Sequence, residues 1–492
     1  MSTLSALLKG FVNVDRIDVD VHVSDITLDS RTVQTGSLFI ALQGEKTDGR
    51  DYILAALEQG AAAVLIDNDQ GLDLAANVLA SGQVIIVPDL LQNLSEIAAR
   101  FYDHPSEKLD VIGMTGTNGK TSVAYFSAQT LEALGCDTAL MGTLGAGRIG
   151  EIKTTGMTTP DAVQTQKILA TFVEAGVQTV CMEVSSHGLA LGRVKAVKFK
   201  AVVFTNLSQD HLDFHLDMQA YADAKARLFN DFEYDFAIIN QDDVLGQQLI
   251  KQHSAKATEK VWAYGIEAGE LIATEINLTH GLSFNITYQG EQYKVHSALV
   301  GEFNIYNLLA VIGIGISLNY SMADMTQALA NISTAPGRME PIQSSSKNAA
   351  KVVVDFAHTP DALENALSAC RAHCVGKLSV VFGCGGDRDK TKRAQMGRIA
   401  ESLSDTVFIT DDNPRGEQPA AIVRDILSGM KQAPWVVHDR AQAIQTAVVH
   451  AAKNDWVLIA GKGSEAQQIY RDHRIEMDDR DLARAALEGL AA

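Results

Sequence analysis

The stretch Leu109–Ser122 constrains the fold of this chain more than any other. It opens with a short apolar run typical of a buried strand, passes through a turn rich in Gly and Thr, and enters a segment that predicts a helix to about Leu134. Such a turn directs backbone N–H groups at one point, and the start of a helix favours an anion there. Lys120 would reach the terminal phosphates of a nucleotide, and the Thr121 hydroxyl would meet a magnesium ion. The stretch predicts a phosphate-binding loop, although Met114 stands where the strict pattern has Gly.

Composition and charge indicate a globular protein of several domains. A length of 492 residues favours about three domains, and 46% hydrophobic with 21% charged residues is a globular composition. The 41 basic and 60 acidic residues give a net charge of −19, which argues against a nucleic-acid partner. No run of 18 apolar residues and no basic-then-apolar leader is present, so we expect a cytoplasmic protein without a membrane partner.

The five cysteines, without any Cys-x-x-Cys, suit reduced thiols. Cys370, His373 and Cys374 lie close together on a predicted helix and could suggest a metal site. Buried helix cysteines are the favoured interpretation, because no fourth ligand is nearby.

Short apolar runs alternate with helical patterns along the first 107 residues, which predicts a small α/β domain. Two polar loops interrupt it, Leu28–Arg31 and Gly44–Arg50, and their composition predicts surface turns. His104–Lys108 is predicted to be a linker, because Pro and charged residues interrupt both strand and helix periodicity.

Two further series of strands divide the rest of the chain at about residue 334. Residues 108–334 contain four predicted strands, Val111–Met114, Thr179–Val184, Ala201–Thr205 and Phe236–Asn240, and helices between them favour a doubly wound, mostly parallel sheet. Residues 335–492 predict a second, Rossmann-like α/β domain with strands Val352–Asp355, Leu378–Gly383, Thr406–Asp411 and Trp456–Gly461. Each run ends in a polar loop, and ligands of such sheets bind beyond the carboxyl ends of the strands.

A few polar residues in these loops could carry chemistry. Glu183 closes a strand and could hold magnesium, or it is an ordinary strand-end carboxylate. His211 and His215 have the spacing of a zinc pair, but Leu212 replaces the Glu that a zinc protease needs. Lys225 lies in a helical segment, where a solvated lysine is the default. Arg388 and Arg415 could each grip a carboxylate through two parallel hydrogen bonds, although Arg residues are common in surface loops.

Taken together, these loops resemble one family over essentially the whole chain, the ATP-dependent Mur ligases of peptidoglycan precursor synthesis. The resemblance is carried by several separate motifs in one order: Thr115–Thr121, Glu183–His187, Thr205–His211, Ala224–Lys225, Gly301–Asn307, Gly337–Glu340, Asp355–Pro360 and Gly461–Gly463. Asp412–Arg415 extends the resemblance to the members that add diaminopimelate. The family has three domains, which here correspond to residues 1–107, 108–334 and 335–492.

The resemblance implies roles for individual residues. It implies contacts to the UDP-muramyl dipeptide from Leu28, Ser30, Glu45, Lys46, Thr47, Thr158, Thr159, Ser185 and Arg193. It implies ATP contacts from Gly116, Thr117, Asn118, Gly119, Lys120, Thr121, Ser122, Asn304, Arg338, Asp355 and His358. It implies magnesium at Thr121, Glu183, His211 and Lys225, and a diaminopimelate pocket formed by Arg388, Asp412, Asn413, Pro414, Arg415, Gly461 and Glu465.

Lys225 matches the family's lysine that reacts with carbon dioxide to form a carbamate (N6-carboxylysine). A carbamate is an anion with two oxygens and a good ligand for magnesium, whereas an ammonium group would repel the ion. Three positions depart from the family pattern: Ser464 replaces a His, Phe356 replaces a Tyr, and Leu191 replaces a Gln.

The implied reaction activates a carboxylate with ATP. The γ-phosphoryl group passes to the side-chain carboxylate of D-glutamate, and the amine of meso-diaminopimelate attacks the resulting acyl phosphate. Arg415 favours diaminopimelate over lysine, because the two differ by a distal carboxylate. We expect a monomer with small-molecule partners only. The alternatives are a lysine-adding Mur ligase, a ligase similar to folylpolyglutamate synthase, a non-catalytic ATP-binding regulator and, disfavoured by charge, a nucleic-acid-dependent ATPase.

Overall fold

The computed structural model describes residues 2–13, 20–44, 47–71, 82–254, 260–278, 281–343 and 349–489. The chain divides into two compact units. The first unit comprises residues 1–113, 137–200 and 227–234, and the second comprises residues 114–136, 201–226 and 235–492.

The described helices and strands alternate along most of the chain. The α-helices are α1 (Leu4–Leu8), α2 (Ile53–Glu58), α3 (Leu90–Phe101), α4 (Lys120–Ala133), α5 (Ala162–Glu174), α6 (Ser186–Ala190), α7 (Leu212–His215), α8 (Met218–Asn230), α9 (Val244–His253), α10 (Phe303–Ser317), α11 (Met322–Leu329), α12 (Pro360–His373), α13 (Thr391–Leu403), α14 (Pro419–Leu427), α15 (Arg440–His450) and α16 (Asp479–Gly489). The strands are β1 (Ser2–Thr3), β2 (His22–Val23), β3 (Asp25–Thr27), β4 (Ser37–Ile40), β5 (Ala63–Ile66), β6 (Val84–Ile86), β7 (Asp110–Thr115), β8 (Thr138–Gly142), β9 (Gly145–Gly147), β10 (Thr179–Glu183), β11 (Ala201–Phe204), β12 (Phe236–Asn240), β13 (Lys260–Gly265), β14 (Leu271–Asn277), β15 (Leu282–Tyr288), β16 (Glu291–Ser297), β17 (Glu340–Ile342), β18 (Lys351–Asp355), β19 (Leu378–Phe382), β20 (Thr406–Ile409), β21 (Trp435–Val436), β22 (Trp456–Ala460), β23 (Gln467–Ile469) and β24 (Arg474–Glu476).

The first unit contains a four-stranded parallel sheet in the order β3-β4-β5-β6. Its two central strands, β4 and β5, are buried on both faces, which is typical of a parallel sheet covered by helices. In the same unit, β10 pairs in parallel with β8, and β8 pairs antiparallel with β9. The predicted small α/β domain is therefore present at the start of the chain.

The second unit contains two sets of paired strands. Strands β11 to β14 pair in parallel in chain order, and β14, β15 and β16 continue as an antiparallel meander. A separate six-stranded sheet has the order β17-β18-β22-β19-β20-β21 and is parallel except for β17. These parallel strands agree with the doubly wound folds predicted from the sequence.

The six-stranded sheet has a hydrophobic core on each face, because successive side chains of a strand point to opposite sides. Leu458 and Ala460 of β22 pack with α12, α13 and α14 on one face. Val457 and Ile459 of the same strand pack with α15 and α16 on the other face. Cys370 lies in the first core and is fully buried. This arrangement places the loops after the strands at one edge of the sheet, where polar residues collect.

The segment His104–Lys108, which the sequence predicts as a linker, is regular and partly buried in the structure. Pro105–Lys108 forms a short 3-10 helix in which Pro105 and Ser106 are buried. The Ser106 hydroxyl accepts a hydrogen bond from the Lys198 amide at 3.0 Å. Proline at the first position of a helical turn is well tolerated, because its missing N–H would have no partner there. The local pattern marks the end of a regular element correctly, but tertiary packing makes the segment part of the first unit.

The described helices were compared with the length and hydropathy of a membrane-spanning helix. Among the described ranges, none combines the length and the apolar character that a membrane-spanning helix requires.

Asp479→Ala is expected to destabilise the fold strongly. The Asp479 carboxylate accepts two hydrogen bonds from Arg440, at 2.8 and 2.7 Å, and both side chains are fully buried. Removing one partner leaves a buried charge, which typically costs about 3–5 kcal/mol. Chemical denaturation of both proteins would measure the difference in the free energy of unfolding. Asp481→Ala is the control, because its ion pair with Arg484 is exposed and should contribute less than about 1 kcal/mol. Equal effects of the two substitutions would contradict the expectation.

Candidate active site

The phosphate-binding loop lies between β7 and α4 in the second unit. Met114 is fully buried within the strand, so the loop begins only at Gly116. A Cβ atom on Gly116 would lie 1.9 Å from the Thr205 hydroxyl, and Gly119 has a positive φ of 87° immediately before the helix. The loop is held by Asn206, whose backbone carbonyl accepts from the Thr117 amide and whose side-chain oxygen accepts from the Asn118 amide. Glycine is thus required by close packing and backbone conformation.

Two lysine side chains meet at the first residue of this loop. Lys120 Nζ donates to the carbonyls of Gly116 and Thr117 at 2.7 and 2.9 Å. Lys225 Nζ donates to the same Gly116 carbonyl at 2.7 Å. The predicted helix around Lys225 is present, but the expectation of a solvated side chain is wrong: only 1% of Lys225 is exposed. Burial, and then the charge of Lys120, hold the pKa of Lys225 well below its usual range.

An aromatic side chain connects Lys225 to His211. Lys225 Nζ lies 4.5 Å from the centre of the Tyr221 ring, and the His211 ring contacts the same ring edge to face. His211 has a left-handed backbone, with φ 55°, immediately before α7. The structure therefore brings Lys120, Lys225 and His211 together, as the resemblance implies. His215, the second histidine of the apparent zinc pair, is buried and also packs on Tyr221.

Asp210 links this cluster to the residues that follow Pro336. Its carboxylate lies 3.5 Å from His211 Nε2, 3.6 Å from His358 Nε2 and 3.5 Å from Lys392 Nζ. Burial opposes ionisation, but the neighbouring His358, His211 and Lys392 hold the pKa of Asp210 well below its usual range. The carboxylate is therefore an anion placed among these three side chains.

A cavity of about 480 Å³ adjoins the phosphate loop, which is within the usual size range of small-molecule sites. Six of the expected ATP-binding residues line it: Asn118, Gly119, Ser122, Asn304, Arg338 and Asp355. Gly116, Thr117, Lys120, Thr121 and His358 do not line the cavity, although the Arg338 guanidinium donates to the Thr121 hydroxyl at 3.1 Å. Burial raises the pKa of Asp355, whose carboxylate accepts from the amides of Met339 and Ala357.

The sequence reasoning missed several residues of this cavity. Tyr306 and Asn307 line it, and Asn307 also donates to the Asn304 side chain at 2.8 Å. Asp361 accepts a hydrogen bond of 2.8 Å from the side chain of Asn118 in the phosphate loop. Tyr306 and Asn307 belong to a motif used for the resemblance, and Asp361 directly follows another, so proximity to a motif was the available signal.

Phe356, one of the three departures, has a clear packing role. The Arg338 guanidinium lies 4.2 Å above its ring, in the arrangement of a cation–π contact. A phenyl ring supplies this contact without the hydroxyl of tyrosine. Phenylalanine at position 356 can therefore hold Arg338 in place as well as the tyrosine of the family pattern would.

The first unit has a cavity of its own, of about 920 Å³. Leu28, Ser30 and Thr47 line it, together with the Asp29–Arg31 ion pair and Lys167 of α5. Glu45 and Lys46, also expected here, lie outside the described residues. The two loops predicted as surface turns therefore border a large concave site.

Glu183, which is expected at magnesium, forms one hydrogen-bonded cluster in the first unit with four residues expected at the muramyl dipeptide: Thr158, Thr159, Ser185 and Arg193. The Glu183 carboxylate accepts from the amide and the hydroxyl of Thr143, whose hydroxyl also contacts that of Thr158 at 3.0 Å. The Thr159 hydroxyl accepts from the Ser185 amide, and the Thr159 carbonyl accepts from Arg193. Burial lowers the pKa of Arg193. Leu191, where the family has Gln, ends helix α6 next to this cluster.

All seven residues expected in the amino-acid pocket meet in the second unit, after β19, β20 and β22. The set is Arg388, Asp412, Asn413, Pro414, Arg415, Gly461 and Glu465. Arg415 Nη1 donates to the Gly386 carbonyl at 3.0 Å, and the backbone of Arg415 is left-handed, with φ 51°. Burial, and then the charge of Arg388, lower the pKa of Arg415. The Asn413 side chain donates to Glu465 at 2.9 Å, and a Cβ atom on Gly461 would lie 2.8 Å from the Asp412 carboxylate.

The residues expected at magnesium fit the ion in their donor chemistry. Thr121 offers a hydroxyl and Glu183 a carboxylate, and both side chains are almost fully buried. Oxygen donors of this kind suit magnesium. Lys225 fits only as the carbamate, because its ammonium form is a cation. Within the described ranges, no three His, Cys, Asp or Glu side chains cluster as a ready-made metal site.

Three family models match the chain in order. They describe the Mur ligase family, catalytic domain at residues 22–102, the Mur ligase middle domain at residues 114–315, and the Mur ligase, glutamate ligase domain at residues 337–463. The chain belongs to the Mur ligase family, and the resemblance and the α/β fold class inferred from its sequence are confirmed.

Two relatives and one solved structure that carry the same enzyme name are similar to this chain over nearly its whole length. A UDP-N-acetylmuramoyl-L-alanyl-D-glutamate–2,6-diaminopimelate ligase of Vibrio vulnificus (strain YJ016) is 42% identical over 489 residues, which cover 98% of both chains. The ligase of the same name from Haemophilus influenzae (strain PittEE) is 40% identical over 483 residues, 97% of this chain and 98% of the relative. A solved structure of a ligase with that name covers 100% of this chain and 99% of its own, with a TM-score of 0.69 and 32% identity.

Proposed function

We propose that the protein is an ATP-dependent amide ligase that adds meso-diaminopimelate to UDP-N-acetylmuramoyl-L-alanyl-D-glutamate, in cytoplasmic synthesis of the peptidoglycan precursor. The observation that carries the proposal is that Arg388, Arg415 and Glu465 lie close together in the loops after β19, β20 and β22. Two guanidinium groups and a carboxylate complement an amino acid that has an additional carboxylate. The relatives described above carry the name of this activity.

Each substrate has a site that fits its chemistry. The 920 Å³ cavity of the first unit, with Ser30, Arg31 and Lys167, suits the UDP group, and the cluster of Thr158, Thr159, Ser185 and Arg193 suits the muramyl dipeptide. The 480 Å³ cavity beside the phosphate loop suits ATP. The same proposal includes two domain boundaries, near residues 107 and 334. It also includes a monomeric state.

The first chemical step is phosphoryl transfer, which requires mainly positioning and neutralisation of charge. Lys120 and the backbone N–H groups of the loop would hold the terminal phosphates of ATP. The γ-phosphorus–oxygen bond to ADP breaks as a carboxylate oxygen of D-glutamate bonds to phosphorus. Magnesium would supply charge neutralisation at the phosphates, and Thr121, His211 and carbamylated Lys225 would hold it in the second unit. No protein nucleophile is needed.

The second step forms the amide. The free amine of diaminopimelate attacks the acyl carbon, and phosphate leaves when the tetrahedral intermediate collapses. Arg415 and Arg388 would hold the carboxylates of the amino acid, because each guanidinium can donate two parallel hydrogen bonds. The selection of diaminopimelate over lysine follows from the distal carboxylate.

The position of Lys225 supports carbamylation. The reaction requires a neutral amine, which attacks carbon dioxide and loses a proton as the nitrogen–carbon bond forms. Burial and the charge of Lys120 lower the pKa of Lys225, so more of the neutral amine is present at a given pH than for an exposed lysine.

Lys225→Met is expected to abolish ligation but to raise the melting temperature when carbon dioxide is excluded. Methionine fills a similar volume and removes the cost of burying an ammonium group, which is of the order of a few kcal/mol. Scanning calorimetry in carbon-dioxide-free buffer and an ADP-release assay would measure both effects. Lys251→Met, on the exposed face of α9, is the control and should change neither. A lower melting temperature for Lys225→Met would show that the ammonium stabilises the fold.

A turnover panel tests the proposed function. The protein would be given ATP, magnesium and UDP-muramyl dipeptide with meso-diaminopimelate, lysine or ornithine, each with and without bicarbonate. We expect ADP release only when both substrates are present, with meso-diaminopimelate strongly preferred and bicarbonate stimulating. Equal use of lysine would favour the lysine-adding alternative, and no ADP release would favour a regulator.

A folate arm of the same panel tests the remaining enzyme alternative. A ligase similar to folylpolyglutamate synthase would extend a folate with glutamate and ignore the UDP-muramyl dipeptide. The match of a Mur ligase model to residues 22–102 and the cavity of that region favour the UDP-linked substrate.

A further inference from the structure

Lys462 is a fully buried cation in contact with Asn413 and Glu465, two residues expected in the amino-acid pocket. It lies in the loop after β22, between Gly461 and Gly463, and 0% of the residue is exposed. Its Nζ donates three hydrogen bonds: to the Asn413 side-chain oxygen at 3.1 Å, to Glu465 Oε2 at 3.1 Å and to the Gln467 carbonyl at 2.6 Å. An ammonium group has three donors, so all of them are used.

These bonds fix the orientation of the Asn413 amide. Its oxygen accepts from Lys462 and also from the Ile469 amide at 2.9 Å, so its NH₂ group must point the other way. That NH₂ group donates to Glu465 Oε2 at 2.9 Å. Glu465 Oε2 therefore receives two hydrogen bonds, while Oε1 receives none from the described residues.

We propose that Lys462 is a positioning residue for the incoming amino acid: by holding Asn413 and Glu465, it presents Glu465 Oε1 to an amino group of the substrate. This inference rests on the proposed function and deepens it. The Glu465 side chain is 42% exposed, so its unused oxygen is accessible to a ligand. A carboxylate oxygen accepts readily from an ammonium group, and Arg388 and Arg415 complement the carboxylates of the same substrate.

The geometry explains why a lysine is suited to this place. A compact point charge with three donors can join the Asn413 amide, the Glu465 carboxylate and the backbone carbonyl of Gln467 in β23. Without it, the Asn413 amide loses one of the two donors that set its orientation. Glu465 then loses its charged partner and, when Asn413 turns, its second hydrogen bond.

The test compares kinetic constants of Lys462→Met and Glu465→Gln with those of the wild-type enzyme. Loss of a hydrogen bond to a charged group should raise the KM for meso-diaminopimelate by about tenfold or more, with the KM values for ATP and UDP-muramyl dipeptide within about twofold of wild type. The double variant should be no worse than the poorer single variant, because both substitutions disable one contact. The control is Arg371→Met, which breaks a half-buried ion pair with Asp405 beside the same six-stranded sheet. It should leave all three KM values unchanged.

An unchanged KM for meso-diaminopimelate, equal losses for all three substrates, or effects that multiply in the double variant would overturn the proposal. Lys462→Gln, which keeps two donors, is the second variant, and melting temperatures are measured for both. If both lysine variants fail to fold, the lysine is purely structural and the proposal is also overturned.

The wild-type control separates this inference from the proposed function. If wild-type protein does not use meso-diaminopimelate, the proposed function fails. The Lys462 comparison is then made with lysine or ornithine, whichever supports ADP release, since each has amino groups for Glu465. If wild-type protein uses meso-diaminopimelate and Lys462→Met keeps its KM, only the inference about Lys462 fails.

Discussion

Lys120→Ala is expected to abolish acyl-phosphate formation while UDP-muramyl dipeptide still binds. The Lys120 ammonium lies over the phosphate loop, 2.7 Å from the Gly116 carbonyl and 2.9 Å from that of Thr117. Its charge is needed most when negative charge on the transferring phosphoryl group is being redistributed. Loss of one such group typically lowers kcat by about 10²–10³-fold, and we expect at least that.

The measurement must separate this effect from an effect on Lys225. Lys120 is one of the groups that lower the pKa of Lys225, so its removal also reduces the neutral amine available for carbamylation. ADP release is therefore measured at increasing bicarbonate, together with binding of the UDP-linked substrate by calorimetry. Activity that returns with bicarbonate would show that Lys120 acts through Lys225. Retained ADP release without added bicarbonate would contradict the assignment of Lys120 to the phosphates.

Arg415→Ala is expected to lower kcat/KM for meso-diaminopimelate by about 10²-fold or more, because the site would lose a fork of donors for a carboxylate. Only Nη1 of the guanidinium is used within the described part of the chain, by the carbonyls of Gly386 and Asn413. Nε and Nη2 make no hydrogen bond there, so the fork is available to a ligand. The KM for ATP should change by no more than about twofold, since Arg415 does not line the cavity proposed for ATP.

Comparison with lysine as substrate makes the Arg415 test specific. Arg415→Ala should lose most of the preference for meso-diaminopimelate over lysine, because lysine lacks the distal carboxylate. Arg415→Lys keeps the charge without the planar fork and should recover only part of the preference. Arg424→Ala, an exposed arginine of α14, is the control. Equal losses for ATP and the amino acid, or an unchanged preference, would contradict the assignment.

Polar contacts connect the residues around the predicted phosphate loop to the loops and helices of the six-stranded sheet. Asp210 lies within 3.6 Å of His211, His358 and Lys392, and Asn118 of the phosphate loop donates to Asp361. Both contacts connect residues before and after Pro336 within the second unit. The 480 Å³ cavity and the loops of the six-stranded sheet are thus linked by polar contacts within the second unit.

Strands, turns and the candidate loops could be located from the sequence, because those features depend on neighbours along the chain. The apolar run before Gly116 ends at a glycine turn, and the predicted strand Phe236–Asn240 agrees with β12 to the residue. The order of the motifs indicates the family, and the same motifs predict the residues of the amino-acid pocket. Such predictions follow from local periodicity and from residue types at set spacings.

Burial and hydrogen-bond partners depend instead on segments far apart in the chain. Lys225 has the pattern of a solvated helix residue, yet it lies against Gly116 and Tyr221 and is almost completely buried. Lys462 belongs to the Gly461–Gly463 motif, which carries no information on burial, yet acceptors of Asn413, Glu465 and Gln467 enclose its ammonium group. A local pattern can therefore specify which side chains end each strand. Long-range packing decides whether such a side chain is solvated, whether its pKa is shifted and whether it is held in place for a ligand. The reason is that burial and electrostatic contacts arise where distant segments of the chain meet.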